Sequence, residues 1–220
     1  MATVADHVIS TLQLSGVRRV YGVSGDSLNG FTDAIRRADG MSWEHVRNEE
    51  AAAFAAAADA ALTGRLAVCA GSCGPGNLHL INGLFDAQRS RVPVLAIAAH
   101  IPRAEIGSEY FQETHPQDLF GECSVYRELV STPEMAPRIL HMAMRAAVEE
   151  NGVAVVVVPG EVFLTRSGDT GWDSRPIVAT HSVLRPDDES LRRAAALLND
   201  ATNVTILAGA GVAGAHDDVI

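Results

Sequence analysis

The sequence predicts an α/β protein: a parallel sheet covered by helices on both faces, followed by the beginning of a second α/β domain. Three observations carry this prediction. Short apolar runs alternate with stretches of helical period from Val4 to Val158. One of these runs, Val153–Val158, is apolar at every position, the pattern of a strand buried on both faces. The composition then changes at Thr165–Pro186, which is rich in Ser, Thr, Gly, Asp and Pro and has no clear period. The expected organisation is a first domain over 1–164, a linker over 165–186, and the start of a second domain over 187–220.

Taken in order, Val4, Val8, Ile9 and Leu12 share a helical face, and Gly16 stops that helix. Arg18–Val23 reads as a strand, Ser24–Ser27 as a turn and Leu28–Ala38 as a helix. A short strand at Trp43–Val46 leads to a helix from Glu49 to Thr63, alanine over most of its length. Leu66–Ala70 is a strand, Leu78–Arg89 a helix, and Val92–Ala98 a strand rich in Val and Ile. The stretch His100–Ser124 is polar and long for a simple connection, so it reads as a functional loop with a helical turn near Pro116–Phe120. Pro133–Asn151 has helical period and precedes the Val153 strand. Past the linker, helix Pro186–Asn199 and strand Val204–Ala208 open the second unit.

Bulk properties narrow the function classes. A chain of 220 residues holds one full domain and a remainder. Its 47% hydrophobic and 20% charged residues belong to a globular protein with a sizeable core. The formal net charge is −10 and no basic cluster occurs, which argues against a nucleic-acid partner. The three cysteines, Cys69, Cys73 and Cys123, are odd in number and form no paired CxxC, so a zinc site is not expected, and the usage fits a reducing cytoplasm. Cys69 reads as a small buried hydrophobe. The first residues do not have the form of a secretory signal. The longest apolar run, Val153–Pro159, falls far short of the roughly 20 residues that span a bilayer.

Four segments carry chemistry. Asn48-Glu49-Glu50 opens the alanine-rich helix. One reading is capping: Asn48 suits the N-cap, and carboxylates in the first turn complement the helix dipole. The other is an acid/base at a site of close approach, because small side chains on all faces admit another backbone, a helix or a ligand. The loop Gly71-Ser72-Cys73-Gly74-Pro75-Gly76-Asn77 has more glycine than a tight turn requires and lets a ligand approach the backbone. A phosphate cradle competes here, but the Lys-Ser/Thr ending of a P-loop is missing. Cys73 has no His or Asp spaced to activate it. Phe111-Gln112-Glu113-Thr114-His115-Pro116 places an aromatic ring, an amide, an acid and an imidazole in the long loop. Gly209-Ala210-Gly211-Val212-Ala213-Gly214 is a GxGxxG, which identifies a dinucleotide site only within a complete βαβ unit.

These segments, in this order, resemble the thiamine-diphosphate-dependent pyruvate oxidases and quinone-reducing pyruvate dehydrogenases, over their N-terminal pyrimidine-binding domain and the start of their central domain. The residues that carry the resemblance are Tyr21–Asn29, the Glu49 segment, Ala67–Asp86, Val92–Pro102 and Tyr110–Gln117. The run GSCGPGNLHLINGLFD is specific, whereas the glutamate-plus-alanine helix is shared with acetolactate synthases and related decarboxylases.

The resemblance implies that Glu49 is the catalytic acid/base. It would hydrogen-bond N1′ of the aminopyrimidine and favour the tautomer that takes the thiazolium proton. Pyruvate is then decarboxylated, electrons pass through FAD to a quinone, and acetate leaves. Gly25, Pro75 and Asn77 would pack around the cofactor beside Glu49, and Phe111 and Gln112 would face substrate and flavin. In the family the residue before the glutamate is usually His, and here it is Asn48.

No Gly-Asp-Gly motif for the diphosphate and Mg²⁺ occurs, so those ligands, and most of the FAD site, are expected outside this chain. No metal ligand is assigned within it. The chain alone is expected to be inactive and to pair as a homo-oligomer or with a partner carrying the diphosphate domain. The implied location is cytoplasmic, with peripheral attachment to the inner membrane left open for a full-length enzyme. An acetolactate-synthase-like carboligase, a non-catalytic binding or dimerisation module, and a flavodoxin-like binding protein stand as alternatives.

Overall fold

The computed structural model describes residues 2–166, 172, 174–176 and 185–219. The chain divides into two compact units, residues 1–181 and 182–220.

The first unit is built on six parallel strands: β1 (Arg19–Gly22), β2 (Ser42–His45), β3 (Ala67–Gly71), β4 (Val94–His100), β5 (Tyr126–Leu129) and β6 (Val153–Pro159), in the order β2-β1-β3-β4-β6-β5. Strands β3, β4 and β6 are buried at every position, as sequences with no polar side chain but the terminal His100 of β4 require once both faces are covered.

One face is covered by helices α1 (Val4–Leu14), α2 (Asn29–Arg37) and α6 (Ala136–Glu149). They bury Val8, Leu12, Phe31, Ile35, Ile139 and Leu140 against the sheet. The other face is covered by α3 (Glu49–Thr63) and α4 (Pro75–Arg89), with Ala56, Ala60, Leu80 and Leu84 inside and Phe120 beside the short helix α5 (Pro116–Leu119). Helix α7 (Gly160–Leu164) follows β6 and packs Phe163 against Phe31 of α2, with ring centroids 5.4 Å apart and the rings tilted by 34°.

The local reasons follow from sequence. Thr3 and Asp6 form a capping box at α1: the Asp6 N–H donates to Thr3 Oγ1 at 3.2 Å, and the Thr3 N–H to Asp6 Oδ2 at 2.8 Å. Helix α3 runs from the Asn48 cap to Gly64, whose left-handed φ of +66° is least strained in a residue without a β-carbon. Ala52, Ala53, Ala56, Ala57 and Ala60 form its buried stripe. Small side chains there let α4 come very close. A β-carbon at Gly83 would lie 2.6 Å from Ala53 Cβ and 2.8 Å from the Phe54 backbone nitrogen. Gly83→Val is therefore expected to push the two helices apart and destabilise the fold by about 1–3 kcal/mol or more, read as a lower denaturant midpoint.

Several boundaries differ from the sequence reading. Helix α4 starts at Pro75, not Leu78, because proline at the first helical position is preset for the helix. Strand β5 and helix α7 were not expected; β5 is an edge strand whose centre is Arg127-Glu128, and its ladder is supplied by β6. The first unit also continues past residue 164. Thr3 bridges Arg166, the Val4 N–H donates to the Thr165 carbonyl at 2.9 Å, and Trp172 stacks on His7 at 5.3 Å. Most of the expected linker, 165–186, lies outside the described residues.

In the second unit, α8 (Asp188–Asp200) is capped by Asp187, whose Oδ1 accepts from the N–H groups of Glu189 and Ser190. The expected strand Val204–Ala208 is not formed. Ile206 and Leu207 are exposed, and among the described residues of this unit no strand is present to pair with it. Gly209–Gly214 is a 3-10 turn followed by the four-residue helix α9 (His216–Val219), not a strand-to-helix nucleotide loop.

Candidate active site

Strand β1 lies between β2 and β3, so the chain leaves it in one direction and returns on its other side. Helix α2, which follows β1, packs on one face of the sheet, and α4, which follows β3, packs on the other. Open parallel sheets form a ligand crevice at such a switch point, outside the carboxyl ends of the strands. The residues there are Gly25 to Ser27 after β1, Ser72 to Gly76 after β3, and the N-termini of α3 and α4.

Capping and chemistry are divided between neighbouring residues at the start of α3. Asn48 Oδ1 accepts from the Glu50 N–H at 2.8 Å, so the cap is made without Glu49. Glu50 accepts from Asn82 Nδ2 at 2.6 Å. Glu49 instead turns inward and is only 9% exposed. Its Oε2 lies 3.1 Å from His79 Nδ1, its one side-chain partner among the described residues, while a β-carbon at Gly76 would lie 3.1 Å from its Oε1. An enclosed carboxylate beside a glycine, with acceptor capacity to spare, is built for a close-lying donor.

The glycine loop is held by hydroxyls. Ser27 and Ser72 share a hydrogen bond at 3.0 Å, and the Cys73 N–H donates to Ser27 Oγ at 3.0 Å. A β-carbon at Gly25 would lie 2.4 Å from Ser72 Oγ, so the turn after β1 packs directly on this loop. Gly74 has φ +67° and ψ −117° at the N-cap of α4, and a β-carbon there would press on the Gln112 carbonyl at 3.0 Å. Gly74→Ala is expected to cost about 1–3 kcal/mol and to displace Gln112; chemical denaturation measures the first effect.

Pro75 is exposed at the first turn of α4. Asn77 is fully buried, with Nδ2 donating to the Ala99 carbonyl at 2.8 Å and Oδ1 without a partner. It therefore clasps α4 to β4 from inside the fold.

In the long connection after β4, Gln112 lies over the glycine loop, accepting from the Cys73 thiol at 3.4 Å. Phe111 projects outward, 87% exposed. Glu113 closes the segment on itself, accepting from the N–H groups of Gly107 and Tyr110. The Gly107 bond is the largest cause holding its carboxyl below the usual range. Cys69 and Cys123 are buried, which pushes their thiols up to about 12 and about 11 and makes them inert.

One cluster of contiguous contacts at the carboxyl ends of the strands thus gathers Gly25, Glu49, Gly76 and Gln112. Ser27, Ser72 and His79 belong to it and were not singled out in the sequence. For His79 a signal existed: it lies three residues beyond Gly76, on the same face of α4. Among the described residues no group of His, Cys, Asp and Glu side chains could hold a metal ion, and no helix is long and apolar enough to cross a membrane.

Fold and site define a ligand-binding α/β domain with an enclosed carboxylate at its switch-point crevice. The family of thiamine pyrophosphate enzymes, N-terminal TPP binding domain, matches residues 2–119, more than half of the chain, and the chain belongs to that family. It is 60% identical over 217 residues to an uncharacterized 42.6 kDa protein in the isoamylase 3′ region of Pseudomonas amyloderamosa, covering 99% of this chain and 55% of that protein. It is 34% identical over 206 residues to a pyruvate oxidase of Lactiplantibacillus plantarum (93% and 34% covered). It is 32% identical over 228 residues to an acetolactate synthase of Arthrospira platensis (96% and 38% covered). The chain thus spans about half the length of the first relative and just over a third of the other two.

Proposed function

We propose that this chain supplies the pyrimidine-side half of a thiamine-diphosphate enzyme that oxidatively decarboxylates pyruvate to acetate, with Glu49 as its acid/base. The observation that carries the reading is the enclosed Glu49 carboxylate, freed from capping by Asn48 and bordered by Gly76. Bound thiamine diphosphate supplies the carbanion chemistry on the 2-oxo acid. The chain's own residues do the rest. Glu49 holds and returns a proton at its carboxylate while the 3.1 Å contact to His79 orients it. Gly25 and Gly76 keep the crevice walls free of side chains, and Pro75 stiffens the rim. Gln112, seated over the loop, and Phe111 face the substrate and flavin side.

The residues that bind the diphosphate with Mg²⁺, and most of those that bind FAD, lie in this reading on a further domain or on a partner chain. A homo-oligomer or a two-chain assembly brings them to Glu49, with a quinone as electron acceptor.

The pyruvate oxidase relative supports the oxidative reading, and the acetolactate synthase relative supports a second one, carboligation of the same 2-oxo acid. Incubating the assembled enzyme with pyruvate and a dye acceptor, and identifying the product, separates them. Acetate with dye reduction is expected. Acetolactate without dye reduction would establish the second reading, and no consumption of any 2-oxo acid would sink both.

A further inference from the structure

Phe111 and Gln112 are the two central residues of one tight turn. The Glu113 N–H donates to the Tyr110 carbonyl at 2.7 Å and closes it. The Glu113 carboxylate then returns to the same turn from the side. Its Oε2 accepts from the Tyr110 N–H at 3.2 Å, and its Oε1 accepts from the Gly107 N–H. One residue thus closes the turn through its backbone and braces it through its side chain. A carboxylate suits this place better than an amide. It offers an oxygen to each N–H, whereas an amide of the same shape has one oxygen and sets its own N–H groups against the second donor.

The turn meets the glycine loop through Gln112. Gln112 Oε1 accepts from Cys73 Sγ at 3.4 Å, and a β-carbon at Gly74 would come within 3.0–3.3 Å of the Gln112 carbonyl oxygen, Cβ and Cα. The segment is anchored separately at its two ends. At the start, the Arg103 N–H and Nε donate to Glu161 Oε1 at 3.0 and 2.9 Å, and Nη1 donates to the Ser131 carbonyl at 3.0 Å. At the finish, the chain enters α5 at Pro116. Between these anchors, among the described residues, the side-chain hydrogen bonds are those of Ser108 to Glu105, the Glu113 brace and the Gln112 contact. The brace is therefore what gives the turn a fixed shape where Gln112 touches Cys73 and Gly74.

We propose that Glu113 is a positioning residue: its carboxylate sets the Tyr110–Glu113 turn so that Gln112 is held on the Cys73–Gly74 corner of the glycine loop, with Phe111 beside it. That Gln112 matters for turnover rests on the proposed function; the brace and the seating do not.

The test has one arm without turnover and one with it. On the 220-residue chain, the alkylation rate of Cys73 by iodoacetamide, located by peptide mass, reads whether Gln112 stays seated on the thiol; Cys69 and Cys123 are fully buried and serve as internal references. Glu113→Gln is expected to raise the Cys73 rate roughly three- to tenfold, the change that losing a hydrogen bond to a charged group makes in a local opening. Glu109→Gln, which neutralises a neighbouring carboxylate that the turn does not use, should leave the rate unchanged. In a Gln112→Ala background, Glu113→Gln should add nothing further, because the brace acts through Gln112. In the assembled enzyme, Glu113→Gln should lower kcat/KM for pyruvate about 10–100-fold through misplacement, while C2 proton exchange of bound thiamine diphosphate, which reads Glu49, keeps its rate.

An unchanged Cys73 rate in Glu113→Gln, an equal rise in Glu109→Gln, a full further rise in the Gln112→Ala background, or C2 exchange slowed along with turnover would each overturn the proposal. If the assembled enzyme consumes no 2-oxo acid, the proposed function fails and the thiol arm alone decides the brace. If Glu113→Gln does not fold, judged from the β3 and β4 amides, hydrogen exchange in the unsubstituted chain decides: slow exchange at both Gly107 and Tyr110 supports the brace, and exchange at either as fast as in an unstructured peptide overturns it.

Discussion

Glu49→Gln is expected to lower pyruvate turnover by the assembled enzyme about 10²–10⁴-fold, the range a positioned general acid/base contributes, while the fold survives. The substitution keeps the volume and a hydrogen-bonding group beside His79, and it leaves the Asn48 cap at 2.8 Å untouched. It removes only the capacity to take and return a proton. The capping reading makes the opposite forecast: a carboxylate serving the helix dipole contributes about 0.3–1 kcal/mol of stability and nothing to turnover. Turnover and unfolding midpoint measured on the same preparation therefore distinguish the two. A small loss of stability with unchanged activity would reduce Glu49 to a helix-terminal charge.

The second large effect is on stability. Phe163→Ala is expected to destabilise the first unit by about 3–5 kcal/mol, a large part of the roughly 5–15 kcal/mol that holds a typical domain. Phe163 is fully buried, packs its tilted ring against Phe31, and lies so close on α2 that a β-carbon at Gly30 would lie 2.9 Å from its own. Truncation leaves a cavity between α2, α7 and the sheet that backbone this tightly packed cannot close. A fall in the thermal midpoint of about 6–20 °C follows for a chain of this size. Glu49 lies on the opposite face, so the folded fraction at low temperature should keep its crevice. A fall below about 2 °C would mean that α7 contributes little to the core.

The parts of the fold legible in the sequence are those fixed by local chemistry. Helix α3 spans the expected Glu49–Thr63, because Asn48 caps its start and the alanine run sustains it; that Gly64 ends it in a left-handed turn is shown by the structure. Strand β6 was legible from its unbroken apolar run. What escaped depends on neighbours. Strand β5 has charged residues at its centre and exists because β6 offers an edge. Val204–Ala208 has strand-like composition, yet it remains unpaired where no ladder is offered.

The site divides in the same way. Glu49 could be singled out because a cap residue precedes it and small residues follow it. Its contact with His79 comes from the close packing of α3 on α4, which no local pattern records. Asn77, which the family resemblance places by the cofactor, is buried, and its Nδ2 donates to the Ala99 carbonyl of a strand more than twenty residues away in sequence, a partner that no local pattern records.

The most direct measurement of the central claim is the rate at which thiamine diphosphate, bound to the assembled enzyme, exchanges its C2 proton with D₂O, compared between the wild type and Glu49→Gln. It reads the proton transfer assigned to Glu49 and does not depend on whether acetate or acetolactate is the product. The account predicts exchange slowed by about 10²–10⁴-fold in the variant, with the cofactor still bound. Equal exchange rates in the two proteins would contradict it.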